Sequence, residues 1–228
     1  MDFDFTEDQN MLRNLAREFL TEQVTIEHVR AMMEDETGYD KDLYRRFLQL
    51  GLIPLPEEYG GAGFGMIETS IIMEEMGRIP YPGPFFGTIV LAGQTLVQSG
   101  DEAAMARYLP DMANGDLVVS LAFLEKSASW VPSTIEATAT RNDNGYTLNG
   151  MKRFVPWGAQ ADVLLVAART GEGSGPEGIS LFAVPTSTAG VEITPETMLD
   201  LNSRTATVNF TDVKVGADAP IGEEGNAW

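Results

Sequence analysis

The spacing of apolar residues changes near residue 116, and this change limits the folds that the chain can adopt. Before that point, apolar side chains recur every three or four positions, which is typical of amphipathic helices. After it, short alternating runs are separated by turn-forming residues, which indicates half-buried strands. The pattern predicts an α+β chain with an N-terminal all-helical domain at residues 1–116. An antiparallel, barrel-like or sandwich-like β domain is predicted at residues 117–228.

Five helices are predicted in the first domain. Thr6 is placed to cap the first helix, with Gln9 completing a capping box. An apolar stripe on this helix is predicted to face the core and consists of Met11, Leu12, Leu15, Ala16, Phe19 and Leu20. A second helix is predicted to start at Asp40 and to end at Gly51. The remaining helices are predicted at residues 67–76, stopped by Gly77, at 85–97, buried on nearly all sides, and at 101–108, before Pro110.

Seven or eight short strands are predicted in the second domain. Residues 142–145 end in Asn-Gly, and residues 149–150 are Asn-Gly. This dipeptide is a strong signal for a hairpin turn. The predicted strands cover residues 117–124, 135–141, 146–148, 152–155, 163–168, 179–184, 191–194 and 206–210.

A search for general catalytic and metal-binding patterns finds few candidates. The chain has no cysteine and one histidine, so thiolate catalysis is excluded and no metal site is expected. The histidine, His28, is placed on the first helix as a surface or packing residue. The glycine run at residues 60–65 follows prolines and an acidic pair rather than a strand. We therefore do not interpret it as a dinucleotide-binding loop.

The charge and the start of the chain narrow the possible partners and location. A net charge of −19 argues against nucleic-acid binding, because a polyanion repels another polyanion. The charge suits either a solvated acidic surface or the steering of a basic protein partner. No segment reads as a membrane span, and the chain opens with Met1 and Asp2 rather than with a basic leader. With no cysteine present, these features predict a cytoplasmic protein.

Several segments resemble the acyl-CoA dehydrogenase family, in the order that the family has them. In the first half they are FTEDQ at residues 5–9, LGLIPLPEEYGGAGFG at 50–65, MEEMGR at 73–78 and YLPDMANGDL at 108–117. In the second half they are YTLNGMKRFVPWGAQAD at 146–162, FTDVKV at 210–215 and IGEEGNAW at 221–228. The resemblance covers essentially the whole chain.

The resemblance implies a subunit of three domains, with FAD between the β domain and a C-terminal helical domain. An acyl-CoA thioester would lose its α proton to a glutamate and its β hydride to the flavin. In the family that glutamate belongs to the C-terminal domain, so the catalytic base is expected beyond residue 228. Glu125 and Glu223 are not candidates, and no catalytic residue is expected in this chain. The implied partners are an electron-transfer flavoprotein and further subunits of a homo- or hetero-oligomer.

Two segments that face the flavin in the family differ here. Where the family writes TEPGAGSD, this chain has Leu124 for the threonine, Lys126 for the proline and Trp130 for the serine. Where it writes W-I-[TS], residues 154–156 are Phe-Val-Pro, which keeps an aromatic ring but loses a hydroxyl and a backbone N–H. Two lost hydrogen bonds would weaken flavin binding by about 1–3 kcal/mol.

The matched positions predict the ligand contacts. FAD contacts are predicted at Leu121, Phe123, Leu124, Phe154, Val155 and Pro156. The first three are expected to contact FAD chiefly through their backbone atoms. Trp130 is predicted on the CoA side of the substrate, and Arg204 has either a structural or a ligand role. Two functions stay open: an FAD-dependent acyl-CoA dehydrogenase, or a non-catalytic or flavin-deficient subunit of a heteromeric one. A related flavin oxidase or monooxygenase is a third alternative that no residue favours.

Overall fold

The computed structural model describes residues 4–228, and the acidic start at Met1 and Asp2 lies outside them. The helices are α1 (Glu7–Gln23), α2 (Ile26–Glu34), α3 (Lys41–Leu48), α4 (Met66–Arg78), a π-helical segment (Phe86–Gly93) that runs into α5 (Gln94–Ser99), and α6 (Glu102–Asn114). The strands are β1 (Val119–Ala122), β2 (Thr138–Asn142), β3 (Gly145–Pro156), β4 (Val163–Arg169), β5 (Ile179–Pro185), β6 (Val191–Glu196), β7 (Thr205–Gly216) and β8 (Pro220–Ile221). Among the described helices, none combines the length and the apolar character needed to cross a bilayer.

The start of α1 confirms the predicted capping box. The Thr6 hydroxyl accepts a hydrogen bond from the backbone N–H of Gln9 at 3.2 Å, and the Gln9 side chain accepts one from the backbone N–H of Thr6 at 3.0 Å. The predicted core face of this helix is too wide, however. Met11 and Leu15 are 69% and 41% exposed, because α1 packs on α4 through a narrower face. The buried positions of that face are Leu12, Ala16 and Leu20.

The placement of His28 on the first helix is wrong. A separate helix, α2, begins after Thr25, whose hydroxyl accepts a hydrogen bond from the backbone N–H of His28 at 3.1 Å. This second cap interrupts what the apolar spacing alone suggests is one helical stretch.

Two predicted helix ends are also wrong. Gly77 lies inside α4, which continues to Arg78; a glycine in an exposed last turn costs only about 1 kcal/mol relative to alanine. Pro110 lies inside α6, which continues to Asn114. Buried Leu109 and Met112 on either side of the proline hold that helix against the core although one backbone donor is missing.

The strands form one eight-stranded sheet. Seven of them are hydrogen-bonded in the order β6-β7-β3-β2-β4-β5-β8, and β1 pairs with β4 outside this order. Most neighbouring pairs are antiparallel, as predicted. The exceptions are β1 with β4, which is parallel from Val119–Val163 to Ala122–Val166, and a parallel bridge between β2 and β4. The turn at residues 142–145 joins β2 and β3 as expected.

The second predicted turn, at Asn149-Gly150, is instead a bulge within β3. The pairing register of β3 with β7 shifts between Leu148 and Gly150. Asn149 bonds through its side-chain oxygen to the backbone N–H of Asp212 at 2.8 Å. Gly150 has a φ of +145°, and a Cβ there would lie 2.6 Å from the Ala137 Cβ, so the position requires glycine.

The strand β4 is buried on both faces and lies between two hydrophobic cores. Val163 and Leu165 belong to the core formed largely by the helices, whereas Leu164 and Val166 belong to the core of the sheet. The predicted boundary between residues 116 and 117 falls between α6 and β1. It stays a prediction, because the larger core contains residues from both sides of it.

Candidate functional site

The two segments predicted to face a flavin are neighbours in the structure. The Ser120 hydroxyl, one residue before the first segment, donates a hydrogen bond to the Pro156 carbonyl at the end of the second. The backbone N–H of Arg153 donates to the Leu124 carbonyl at 2.8 Å. Strand β1 and its continuation therefore run beside the end of β3, and both segments can face one ligand.

A buried ion pair joins the same two segments. The Lys152 ammonium lies 2.7 Å from a Glu125 carboxylate oxygen and 3.1 Å from the Phe123 carbonyl oxygen. The two side chains are 0% and 7% exposed. The Glu125 carboxylate also accepts the backbone N–H groups of Glu136 at 2.8 Å and Ala137 at 3.0 Å. Burial lowers the pKa of Lys152, and the adjacent Glu125 carboxylate opposes that shift.

Three aromatic rings form a cluster beside this ion pair. The rings of Phe123 and Trp130 stack with centroids 5.1 Å apart and planes 15° apart. Trp228 contacts the Phe123 ring at 5.5 Å with a tilt of 38°. Trp130 is 59% exposed, so its indole lies on the surface with Phe123 beside it. This cluster of Phe123, Trp130 and Trp228 is called the ring cluster below.

The other predicted contacts differ in what they can offer a ligand. The side chain of Leu121 packs on the helical core and that of Val155 lies in the sheet core, so these positions can present chiefly backbone atoms. Phe154 has a φ of +53°, next to a register shift in β3, and its ring is partly exposed. The Arg153 guanidinium lies over that ring, 4.5 Å from its centroid. The backbone here is strained away from regular extended geometry.

A cavity of about 440 Å³ opens beside Pro156, and the sequence patterns did not predict it. It lies between α4, the π-helical segment and the start of β7, and its apolar lining includes Met73, Met76, Phe85, Phe86 and Trp157. No local pattern marks such a cavity, because its walls come from three separate segments, the first and last of which are more than 100 positions apart. One side of the cavity, at residues 200–205, is polar, and the rest of the lining suits an apolar group.

Arg204 makes structural contacts in this chain and also lines the cavity beside Pro156. Its guanidinium donates to the carbonyl oxygens of Met32 at 2.9 Å, Met33 at 3.1 Å and Asp35 at 2.9 Å. These carbonyls lie at the C-terminal end of α2, where backbone acceptors have no partner within the helix. The Arg204 carbonyl accepts the Trp157 N–H at 2.7 Å, so the arginine connects α2 to the end of β3.

The residues of the site fit part of what a flavin requires. The ring cluster and Phe154 offer partly exposed flat faces, which suit a planar ring system. The hydrogen-bonding edge is poorer, since Leu124 has no hydroxyl and Pro156 has no backbone N–H. The Pro156 carbonyl is already an acceptor for Ser120. A flavin would therefore be held here by ring contacts and backbone groups rather than by side-chain donors.

Both halves of the chain are similar to domains of known proteins. The profile of the acyl-CoA dehydrogenase N-terminal domain matches residues 6–116, and that of the acyl-CoA dehydrogenase middle domain matches residues 120–213. Acryloyl-CoA reductase (NADH) of Anaerotignum propionicum is 30% identical to this chain. The alignment covers 100% of this chain and 59% of that protein.

Solved structures show the same fold. Butyryl-CoA dehydrogenase from Megasphaera elsdenii superposes with a TM-score of 0.83 at 30% identity, covering 99% of this chain and 61% of that one. The ChsE4–ChsE5 complex from Mycobacterium tuberculosis gives a TM-score of 0.84 at 26% identity, covering 100% and 60%. The chain thus spans about 60% of the length of these relatives. Its two matched domains, in the family's order and fold, make it a member of the acyl-CoA dehydrogenase family.

Proposed function

We propose that this chain provides the helical and β domains of an FAD-dependent acyl-CoA dehydrogenase that forms a double bond between the α and β carbons of an acyl-CoA thioester. The adjacency of the segments after β1 and at the end of β3 carries the proposal. Ser120 bonds to Pro156 and Arg153 to Leu124, so the two matched segments lie side by side, which supports a shared ligand.

The residues of this surface have distinct roles in the proposal. The backbone of Leu121, Phe123 and Leu124 and the segment 154–156 would hold FAD, which supplies a hydride acceptor when bound. Glu125 does not serve as the base, because its carboxylate already accepts Lys152 and two backbone N–H groups. The base would come from a part of the protein outside this chain.

The cavity beside Pro156 would hold the acyl chain of the substrate. Its walls are mainly apolar side chains, and it lies next to the predicted flavin contacts at residues 154–156. Trp130, which lies on the surface, would contact the CoA side. An electron-transfer flavoprotein would accept the electrons, and the subunit would work in an oligomer.

A second candidate function is a flavin-deficient subunit of a heteromeric acyl-CoA dehydrogenase. Leu124 and Pro156 remove flavin hydrogen bonds, and the Trp130 indole stacks on Phe123 of its own chain. The similarity to one complex of two named chains, ChsE4–ChsE5, also supports this reading.

Purification of the full-length protein alone, and together with a second dehydrogenase subunit if a neighbouring reading frame encodes one, would separate the two candidates. A yellow protein that reduces an acceptor dye with acyl-CoA when purified alone supports the first candidate. A protein that stays colourless with added FAD, and binds FAD only with a co-purifying second subunit, contradicts the first candidate and supports the second. A protein that binds neither FAD nor acyl-CoA in either form contradicts both.

A further inference from the structure

Lys152 is buried between the two ligand-facing segments, although its neighbours in β3, Met151 and Arg153, are partly exposed. Its side chain has no solvent-accessible surface. The ammonium donates to the Phe123 carbonyl at 3.1 Å and to the Glu125 carboxylate at 2.7 Å. A lysine in this position bonds to protein groups rather than to water.

Two successive residues of β3 hold three successive residues of the segment after β1. Lys152 holds Phe123 and Glu125 through its side chain, and Arg153 holds Leu124 through its backbone N–H at 2.8 Å. The carbonyl directions of residues 123 and 124 are therefore set from β3. These residues include two of the predicted flavin contacts.

The same ion pair fixes the far end of the loop that carries Trp130. Glu125 accepts the backbone N–H groups of Glu136 and Ala137, which follow that loop. The loop at residues 126–135 is therefore held at both ends by the buried Glu125 side chain, while Trp130 within the loop is mostly exposed. An apolar side chain at position 152 would remove this donor from the Phe123 carbonyl and would leave the buried Glu125 carboxylate without a counter-charge, with only its two backbone donors, which is unfavourable.

We propose that Lys152 is a positioning residue for ligand binding: by holding the Phe123 carbonyl and the Glu125 carboxylate together, it sets the backbone of residues 123–130 and the orientation of the ring cluster. The expected effect of Lys152 on flavin affinity rests on the proposed function. Its expected effect on the backbone of residues 123–130 is independent of that function.

The test compares Lys152→Met with Leu20→Ala, a core variant in α1 that also lowers global stability. Glu125→Gln, which keeps the lysine, serves as a milder variant if Lys152→Met does not fold. Arg141→Met, which breaks an exposed ion pair with Glu224, is the charge-matched control. Amide hydrogen exchange of residues 123–131 and near-ultraviolet circular dichroism of the ring cluster are measured on each full-length protein, followed by titration with FAD.

We expect exchange in residues 123–131 to be about tenfold faster in Lys152→Met than in Leu20→Ala after correction for global stability, with loss of the ring-cluster signal. FAD affinity should fall by a similar factor, while Arg141→Met resembles the wild type. Equal exchange and equal spectra in Lys152→Met and Leu20→Ala would overturn the proposal, because the lysine would then act on stability alone. If the wild type binds no FAD, the proposed function fails, and exchange and spectra still decide the role of Lys152.

Discussion

The hydroxyl of Ser120 donates to the carbonyl oxygen of Pro156 and so joins β1 to the last residue of β3. Ser120 directly precedes Leu121, the first flavin contact that the sequence resemblance predicts, and Pro156 is the last of those predicted contacts. Ser120 is buried, so its removal would leave the Pro156 carbonyl without this donor.

Replacing Ser120 with alanine should lower the free energy of unfolding by about 1–3 kcal/mol, the range expected when a buried group loses its partner. Chemical denaturation of the two proteins measures the difference. Ser127→Ala, at an exposed position of the following loop, is the matched control and should have little effect. Equal stability losses for both variants would show that the bond contributes nothing specific.

Restoring the family's polar residues should strengthen flavin binding. The double variant Leu124→Thr/Pro156→Thr regains a hydroxyl at each position and a backbone N–H at residue 156. At about 0.5–1.5 kcal/mol for each hydrogen bond, the dissociation constant for FAD should fall about 10–100-fold in a fluorescence titration. Pro185→Thr, at an exposed proline at the end of β5, controls for loss of a proline. An unchanged dissociation constant in the double variant would refute this prediction.

Glu75 should make stability depend on acid pH. Its buried carboxylate bonds to the Arg17 guanidinium at 2.6 and 2.9 Å and to Arg78 at 3.0 Å. The Arg17 hydrogen bond, with a smaller contribution from Arg78, lowers the pKa of Glu75 against the opposing effect of burial. Because the folded-state pKa lies below the unfolded value, this stabilisation is complete above about pH 5 and is lost as pH falls through the folded-state pKa.

Glu75→Gln should therefore cost about 1–3 kcal/mol at neutral pH, since both arginines are half exposed and water screens part of the interaction. The difference from the wild type should shrink as the pH is lowered from 5 to 3 in urea denaturation. Glu74→Gln, at an exposed partner of Arg13, should show neither effect. A constant difference across that pH range would contradict the assignment.

Arg204→Met should loosen the end of α2. The variant leaves the carbonyls of Met32, Met33 and Asp35 without their charged donor, and we expect a loss of about 2 kcal/mol. Amide exchange should quicken in residues 32–38 before it changes in the sheet. Arg107→Met, which removes an exposed pair with Asp218, should cost less than about 1 kcal/mol. Unaltered exchange in residues 32–38 would disprove this role for Arg204.

Features that depend on a few neighbouring residues were predicted well from the sequence. The Thr6–Gln9 capping box and the hairpin turn at residues 142–145 need only local partners, and both are confirmed. Asn149-Gly150 has the same turn-forming character, yet its outcome depends on Asp212, 63 positions away. Local preference could not distinguish a turn from a bulge there, because both conformations use the same residues.

The candidate site also has features that the sequence predicted and features that it did not. The matched motifs located the two segments, and the resemblance supplied their predicted ligand. The pairing of Lys152 with Glu125 and the placement of Arg204 at the end of α2 were not predicted, because each joins parts of the chain that no local pattern relates.

The amino-acid sequence by itself determined the succession of a helical half and a β half, the main turn of the sheet and the family resemblance, since these depend on periodicity, caps and ordered motifs. Only the tertiary structure decided which face of β4 meets which core, how a lysine becomes buried, and where a cavity forms beside Pro156. The physical reason is that burial and partner choice arise when distant segments exclude water together. A residue's type states what it can bond to, and the packed fold selects the partner.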